Sequence, residues 1–190
     1  MSDSKIFSAL QRHSETVEQA TADCADSLER YAAHLAQAFA ADQRLLLLGD
    51  GVFSHVAAIT ATALVHRLNY ERPSLPAVAP GDAGLLAAMS AAGEGDNYFA
   101  ALIKAHAASG DCVCLLAQGE NAAMGNAVTA AQEIGCHTAV FACGDGRGWQ
   151  QHQADIMLSV RSNAPAQQCE ALVFLGHLLC ELLEAELFGF

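Results

Sequence analysis

The chain has 190 residues, of which 53% are hydrophobic and only 16% charged, with a formal net charge of −12. That length suits one domain with a full core, and the acidity, with no cluster of Lys or Arg, excludes direct nucleic-acid binding. A charged fraction well below the usual quarter leaves much of the surface apolar or small, which predicts an oligomer.

No run of about 18 apolar residues occurs, and the N-terminal MSDSKIFSALQRHSE has no continuous apolar stretch. The expectation is a cytoplasmic protein with no membrane association. Seven cysteines stand at 24, 112, 114, 136, 143, 169 and 180, with no CxxC pair. Their odd number and apolar neighbourhoods predict reduced, buried thiols. Cys112 and Cys114 read as core, and Cys143, at the end of an apolar run, reads as the most accessible thiol.

Residues 4–22 and 27–40 each carry apolar residues at helical spacing, which predicts two N-terminal helices over 1–41. An α/β core over 44–188 follows. Leu45 to Leu48 are four apolar residues closed by Gly49-Asp50-Gly51. Bounded by glycine, they read as a buried strand that feeds a helix over 52–67. A glycine turn entering a helix N-terminus is a place where an anion can be held.

Pro73 and Pro76 make 69–76 an extended connector, leading to a short strand at 76–79 and to Asp82 as an N-cap. Helices are expected over 83–92 and 97–108. A third strand at 112–116 runs into the turn Gln118-Gly119-Glu120-Asn121, and a helix over 122–134 ends at Gly135. A fourth strand at 137–142 closes on Gly144-Asp145-Gly146, and a fifth spans 155–160. The last helix starts at Pro165, capped by Ser162 or Asn163, and runs to 187. Alternating strands and helices predict a five-stranded parallel, doubly wound sheet of flavodoxin-like type. Its ligand crevice should lie beyond the carboxyl ends of the strands, near 49–54, 80–84, 117–121 and 143–146.

On LLLLGDG, ERPSLPAVA at 71–79, Gly110-Asp111, Gly144-Asp145-Gly146 and CELLEAELF at 180–188, the chain resembles the sugar isomerase (SIS) domain family. Within it, the branch of phosphoheptose isomerase and the DnaA initiator-associating protein is the nearest likeness. The resemblance implies a homotetramer with pockets at subunit interfaces. It also implies phosphate-binding loops of the form GNGGSA and STSGNS. Here these stand as Gly49-Asp50-Gly51-Val52-Phe53-Ser54 and Leu116-Ala117-Gln118-Gly119-Glu120-Asn121. Phe53 takes the serine's position with Ser54 one residue on, and two carboxylates, Asp50 and Glu120, are set to oppose a phosphate dianion. The ligand-binding positions of this altered pocket are Asp50, Gly51, Ser54, Asp82, Gln118, Gly119, Glu120 and Asn121.

In the isomerases that the chain resembles, a helix supplies His and Glu one turn apart. The matching positions here are Ile59 and Ala63, while Ala91-Ala92 replace an Asn-Asp pair. The last helix brings Cys169 and His177, eight apart and on one face. His177 is the candidate catalytic residue that persists. Cys169 with His177 is the candidate zinc pair, short of the usual three or four ligands, so no cofactor is expected.

These losses predict a non-catalytic SIS-domain protein, a pseudoenzyme acting as an oligomeric scaffold for a DnaA-type partner by multivalency. The alternative is a phosphoheptose isomerase-like enzyme that turns over sedoheptulose 7-phosphate with a rearranged site, or a sugar-derivative sensor. The apolar C-terminus, Leu187-Phe188-Gly189-Phe190, is expected to pack against something, and Phe53 to fill the altered pocket or project as a contact.

Overall fold

A computed structural model describes residues 4–144 and 147–189. Asp145, Gly146 and Phe190, which figured among the expectations, lie outside the described residues. Helix α1 (Lys5–Ala40) comes first. It is one helix, where a break near residue 23 was expected. The intervening Asp23-Cys24-Ala25-Asp26 contains no glycine or proline, and Ala20, Cys24, Leu28, Tyr31 and Leu35 form one unbroken buried seam across it.

The core then alternates as read. Strand β1 (Leu45–Gly49), helix α2 (Phe53–Val65) and a two-residue strand β2 (Ala77–Val78) are followed by helices α3 (Ala83–Ala91) and α4 (Tyr98–His106). Strand β3 (Cys112–Ala117), helix α5 (Ala122–Ile134), strands β4 (His137–Cys143) and β5 (Ile156–Val160) and helix α6 (Pro165–Phe188) complete it. All strand pairings are parallel, in the order β2-β1-β3-β4-β5.

The order reverses between β1 and β3, so the topological switch point lies there and the crevice opens beyond Gly49 and Ala117. Side chains alternate across the sheet. Leu45 and Leu47 join the core under α1, α2 and α6, while Leu46 and Leu48 join the core under α4 and α5.

The caps explain most of the boundaries. Asp82 Oδ1 accepts from Leu85 N–H at 2.9 Å, and Asn121 Oδ1 accepts from Met124 N–H at 2.9 Å. Gly135 ends α5 at φ 88°, a conformation costly for any residue with a Cβ. The cap of α6 differs from expectation. Its N-cap is Ala164 with no side-chain bond, because Pro165 sits in the first turn and Ser162 Oγ bonds Ala164 N–H instead. Leu187 and Phe188 pack on the larger core.

Among the described residues, no helix is long and apolar enough to cross a membrane.

Candidate active site at the sheet switch point

Strand β1 delivers Gly49 and Asp50 to the crevice. A Cβ on Gly49 would collide with the Phe53 carbonyl and lie 2.6 Å from Ser54 N, so only glycine lets α2 start this close to the strand end. Asp50 N–H donates to Leu116 O across the sheet at 3.1 Å, which fixes the turn.

The Asp50 carboxylate spans the switch point. Oδ1 accepts from Gln118 N–H at 3.0 Å and Oδ2 from the Asn121 side-chain amide at 3.1 Å. It therefore occupies two donors that the loop after β3 would otherwise offer a ligand. Burial pushes its pKa up, with the bonds from Gln118 and Asn121 working against the rise.

Glu120, expected beside Asp50 in opposition to phosphate, is held elsewhere. Its Oε1 lies 3.2 Å from His152 Nε2 and accepts from Gln151 Nε2 at 3.3 Å. The two carboxylates expected to oppose a phosphate together are thus held apart, with Asp50 alone at the switch point.

Phe53 neither fills the crevice nor projects. It is 1% exposed and turned into the core under α2, because the first turn of α2 places it on the sheet side. Ser54 takes the crevice side in its stead. It lines a cavity of about 90 Å³ beyond β1 with Gly49, Pro80, Gly81 and Tyr98. Its Oγ donates to Gly51 O at 2.8 Å. Gly51, at φ 50°, and Gly119 both have open space where a Cβ would stand. Asp82 caps α3, and its N–H donates to Tyr98 Oη at 2.8 Å, so the side chain is already engaged at the cavity rim.

His177 and Cys169 are half-buried on α6, where the neighbouring Gly176 packs against Thr60 of α2. Cys143 is 4% exposed with its thiol pushed up to about 12 by burial, so the expectation that it is the most accessible thiol is corrected. Cys169, at the intermediate level, is the least buried of the seven.

The donor set of the crevice does not fit a zinc ion. Ile59 is exposed and Ala63 buried, and neither carries a ligand atom. Among the described residues the one group of three close metal-ligating side chains lies elsewhere, at the opposite, N-terminal end of the strands. No step is therefore derived through a metal in this crevice.

With this geometry in place, the chain belongs to the SIS domain family, whose model matches residues 10–143. It is 30% identical to the phosphoheptose isomerase of Geobacter sp. (strain M21) over 186 residues, 97% of this chain and 96% of that one. The fold is that of the phosphoheptose isomerases of Francisella tularensis and Neisseria gonorrhoeae, with TM-scores of 0.86 and 0.85 at 21% identity. These cover 96% and 97% of this chain and 98% and 100% of theirs.

The relatives overturn the expectation of a non-catalytic scaffold bound to a replication initiator. The chain aligns nearly end to end with proteins named as isomerases, and none of these matches points to an initiator partner. Lost motif residues weighed too heavily in that expectation. Ser54 in the cavity and Asp50 at the switch point are chemical groups that the altered motifs retain.

Proposed function

We propose that the chain is a sugar-phosphate isomerase of the phosphoheptose isomerase kind, acting on sedoheptulose 7-phosphate or a close analogue with a rearranged site. The observation that carries this reading is the 30% identity to a phosphoheptose isomerase across 97% of the chain.

Interconversion of a ketose and an aldose moves a proton between adjacent carbons and needs a base that can return it. Asp50 is the group we assign to that task. It stands at the switch point, is held by two donors, and has its pKa raised by burial. Ser54, which lines the cavity, is assigned to the substrate's phosphate or a hydroxyl. His177 is a second candidate for proton transfer.

A cavity of about 90 Å³ is small beside the 300 Å³ or more typical of ligand sites. We therefore include in the proposal that a second copy completes the site, in a homotetramer.

The test is proton exchange. Protein incubated with sedoheptulose 7-phosphate in D2O should introduce deuterium at C1 of the ketose and at C2 of the isomeric aldose that it yields, read by NMR. Absence of both exchange and product, with and without added zinc, would end the proposal.

A further inference from the structure

At the N-terminal end of the central strands, opposite the crevice, His34, Cys112 and His137 come together. Cys112 and His137 are the first residues of β3 and β4, and the parallel register sets them directly side by side. His34 reaches them from α1, its ring stacked on His137 with centroids 3.7 Å apart and planes at 26°. One ligand atom from each of the three can be chosen so that no pair is separated by more than 4.8 Å. Neighbouring ligands on a tetrahedral zinc stand about 3.5 Å apart, given Zn–N near 2.0 Å and Zn–S near 2.3 Å. Closing the difference takes about one ångström, within reach of a rotation of the half-buried His34.

A second observation points the same way. His137 Nδ1 is buried and has no hydrogen-bond partner. A buried polar atom left unpaired is uncommon and calls for an explanation. A metal ion would supply the partner. Two carboxylates flank the group: Asp111 precedes Cys112, and the charge of Asp155 reaches both His137 and Cys112.

We propose that His34, Cys112 and His137 form a binding site for one zinc-class dication, which fastens α1 to the N-terminal edge of the sheet. Two imidazoles and a thiolate are borderline-to-soft donors, suited to zinc and its neighbours in the transition series and poorly suited to magnesium or calcium. Binding forms two metal–nitrogen bonds and one metal–sulfur bond, and the thiol proton leaves to water. A fourth position stays open to water or a small anion. The site lies at the far end of the strands from Asp50 and Ser54, so it is separate from the proposed isomerase crevice. Its consequence is the anchoring of α1, whose first turns carry the exposed Ile6, Phe7 and Leu10.

The experiment uses the untagged full chain, stripped with a chelator and titrated with cobalt(II) as a spectroscopic probe and then with zinc. One equivalent of cobalt should produce thiolate-to-cobalt charge-transfer absorption and the intense visible bands of four-coordinate cobalt. Zinc should displace it and raise Tm. Because Cys112→Ser alters a buried strand residue, His34→Gln, on the helix surface, is the decisive variant. It should weaken zinc binding at least a hundredfold while the stripped protein keeps its circular dichroism. Cys169→Ser/His177→Gln should leave the cobalt spectrum unchanged. The proposal falls if no thiolate band forms at one equivalent, if His34→Gln binds as well as the parent, or if the band disappears with Cys169 and His177.

Discussion

Asp50 carries opposite meanings in sequence and in structure, and a substitution separates them. Read as a charge in a phosphate loop, it repels the substrate, so Asp50→Asn should lower KM and spare kcat. Read as a half-buried carboxylate poised at the strand ends, it moves protons. Asp50→Asn should then cut kcat by about 10²–10⁴, the usual worth of a positioned acid–base group. The second outcome is expected in steady-state assays with sedoheptulose 7-phosphate. Stability offers an independent check. Burial raises the folded pKa of Asp50 above its unfolded value near 3.8, so its contribution is fully present below that pH and lost as pH rises through the folded pKa. Asp50→Asn lacks this dependence. Its stability relative to the parent, from urea melts at stepped pH, should therefore climb as pH rises above 3.8. Ser54 makes a simpler case. Its hydroxyl donates to the Gly51 carbonyl one turn back, so Ser54→Ala should raise KM about tenfold and leave Tm within a degree or two.

At the scale of elements, the extended connector after α2 is held by a buried ion pair. Arg72 Nε donates to Glu184 Oε1 at 2.8 Å, with both side chains 1% exposed. The rest of the guanidinium bonds the carbonyls of Ala63, Leu64 and Pro73, tying the connector to the end of α2 and to α6. Removing one member leaves a buried charge unmatched. Glu184→Ala should cost about 3–5 kcal/mol in chemical denaturation, whereas a double replacement by Met and Leu should recover much of it. The elements themselves were legible because their signals are local. Leu45 to Leu48 between polar flanks, Asp82 and Asn121 as caps, and Gly135 after α5 each act within a few residues. The single long α1 was not legible as such, since the seam joining its halves is defined by what it packs against. The site was legible only in part. Asp50, Gln118 and Asn121 were picked out by loop position, but whether a side chain faces the crevice or the core is set by how α2 leaves the strand. That is why Phe53 was expected at the pocket, although it lies in the core, while Ser54 lines the cavity as its loop position suggested. The pairing of His34 with His137 spans 103 positions along the chain (137 less 34) and leaves no local trace.

For the whole molecule, the question is what covers its apolar surface. Ile6, Phe7 and Leu10 on α1, Ile59 and Val65 on α2 and Phe174 on α6 are all exposed. Apolar residues gathered on exposed helix faces mark a surface for association. The small cavity at the switch point poses the same question from within, because one chain supplies only part of the volume that a sugar phosphate needs. Both are answered if copies of the chain assemble through these helices and complete one another's sites, so assembly and turnover should be lost together. Replacing Phe7 and Leu10, both on the exposed side of α1 and away from the core, by aspartate removes apolar contact without touching Asp50 or Ser54. The variant should run as a smaller species by light scattering, keep its circular dichroism, and lose isomerase activity by at least tenfold at low micromolar protein. Part of that activity should return as concentration rises, since mass action favours the assembly. Full activity in a demonstrably monomeric variant would mean that the crevice of a single chain suffices, and the shared-site half of the proposal would fall while the isomerase assignment stood.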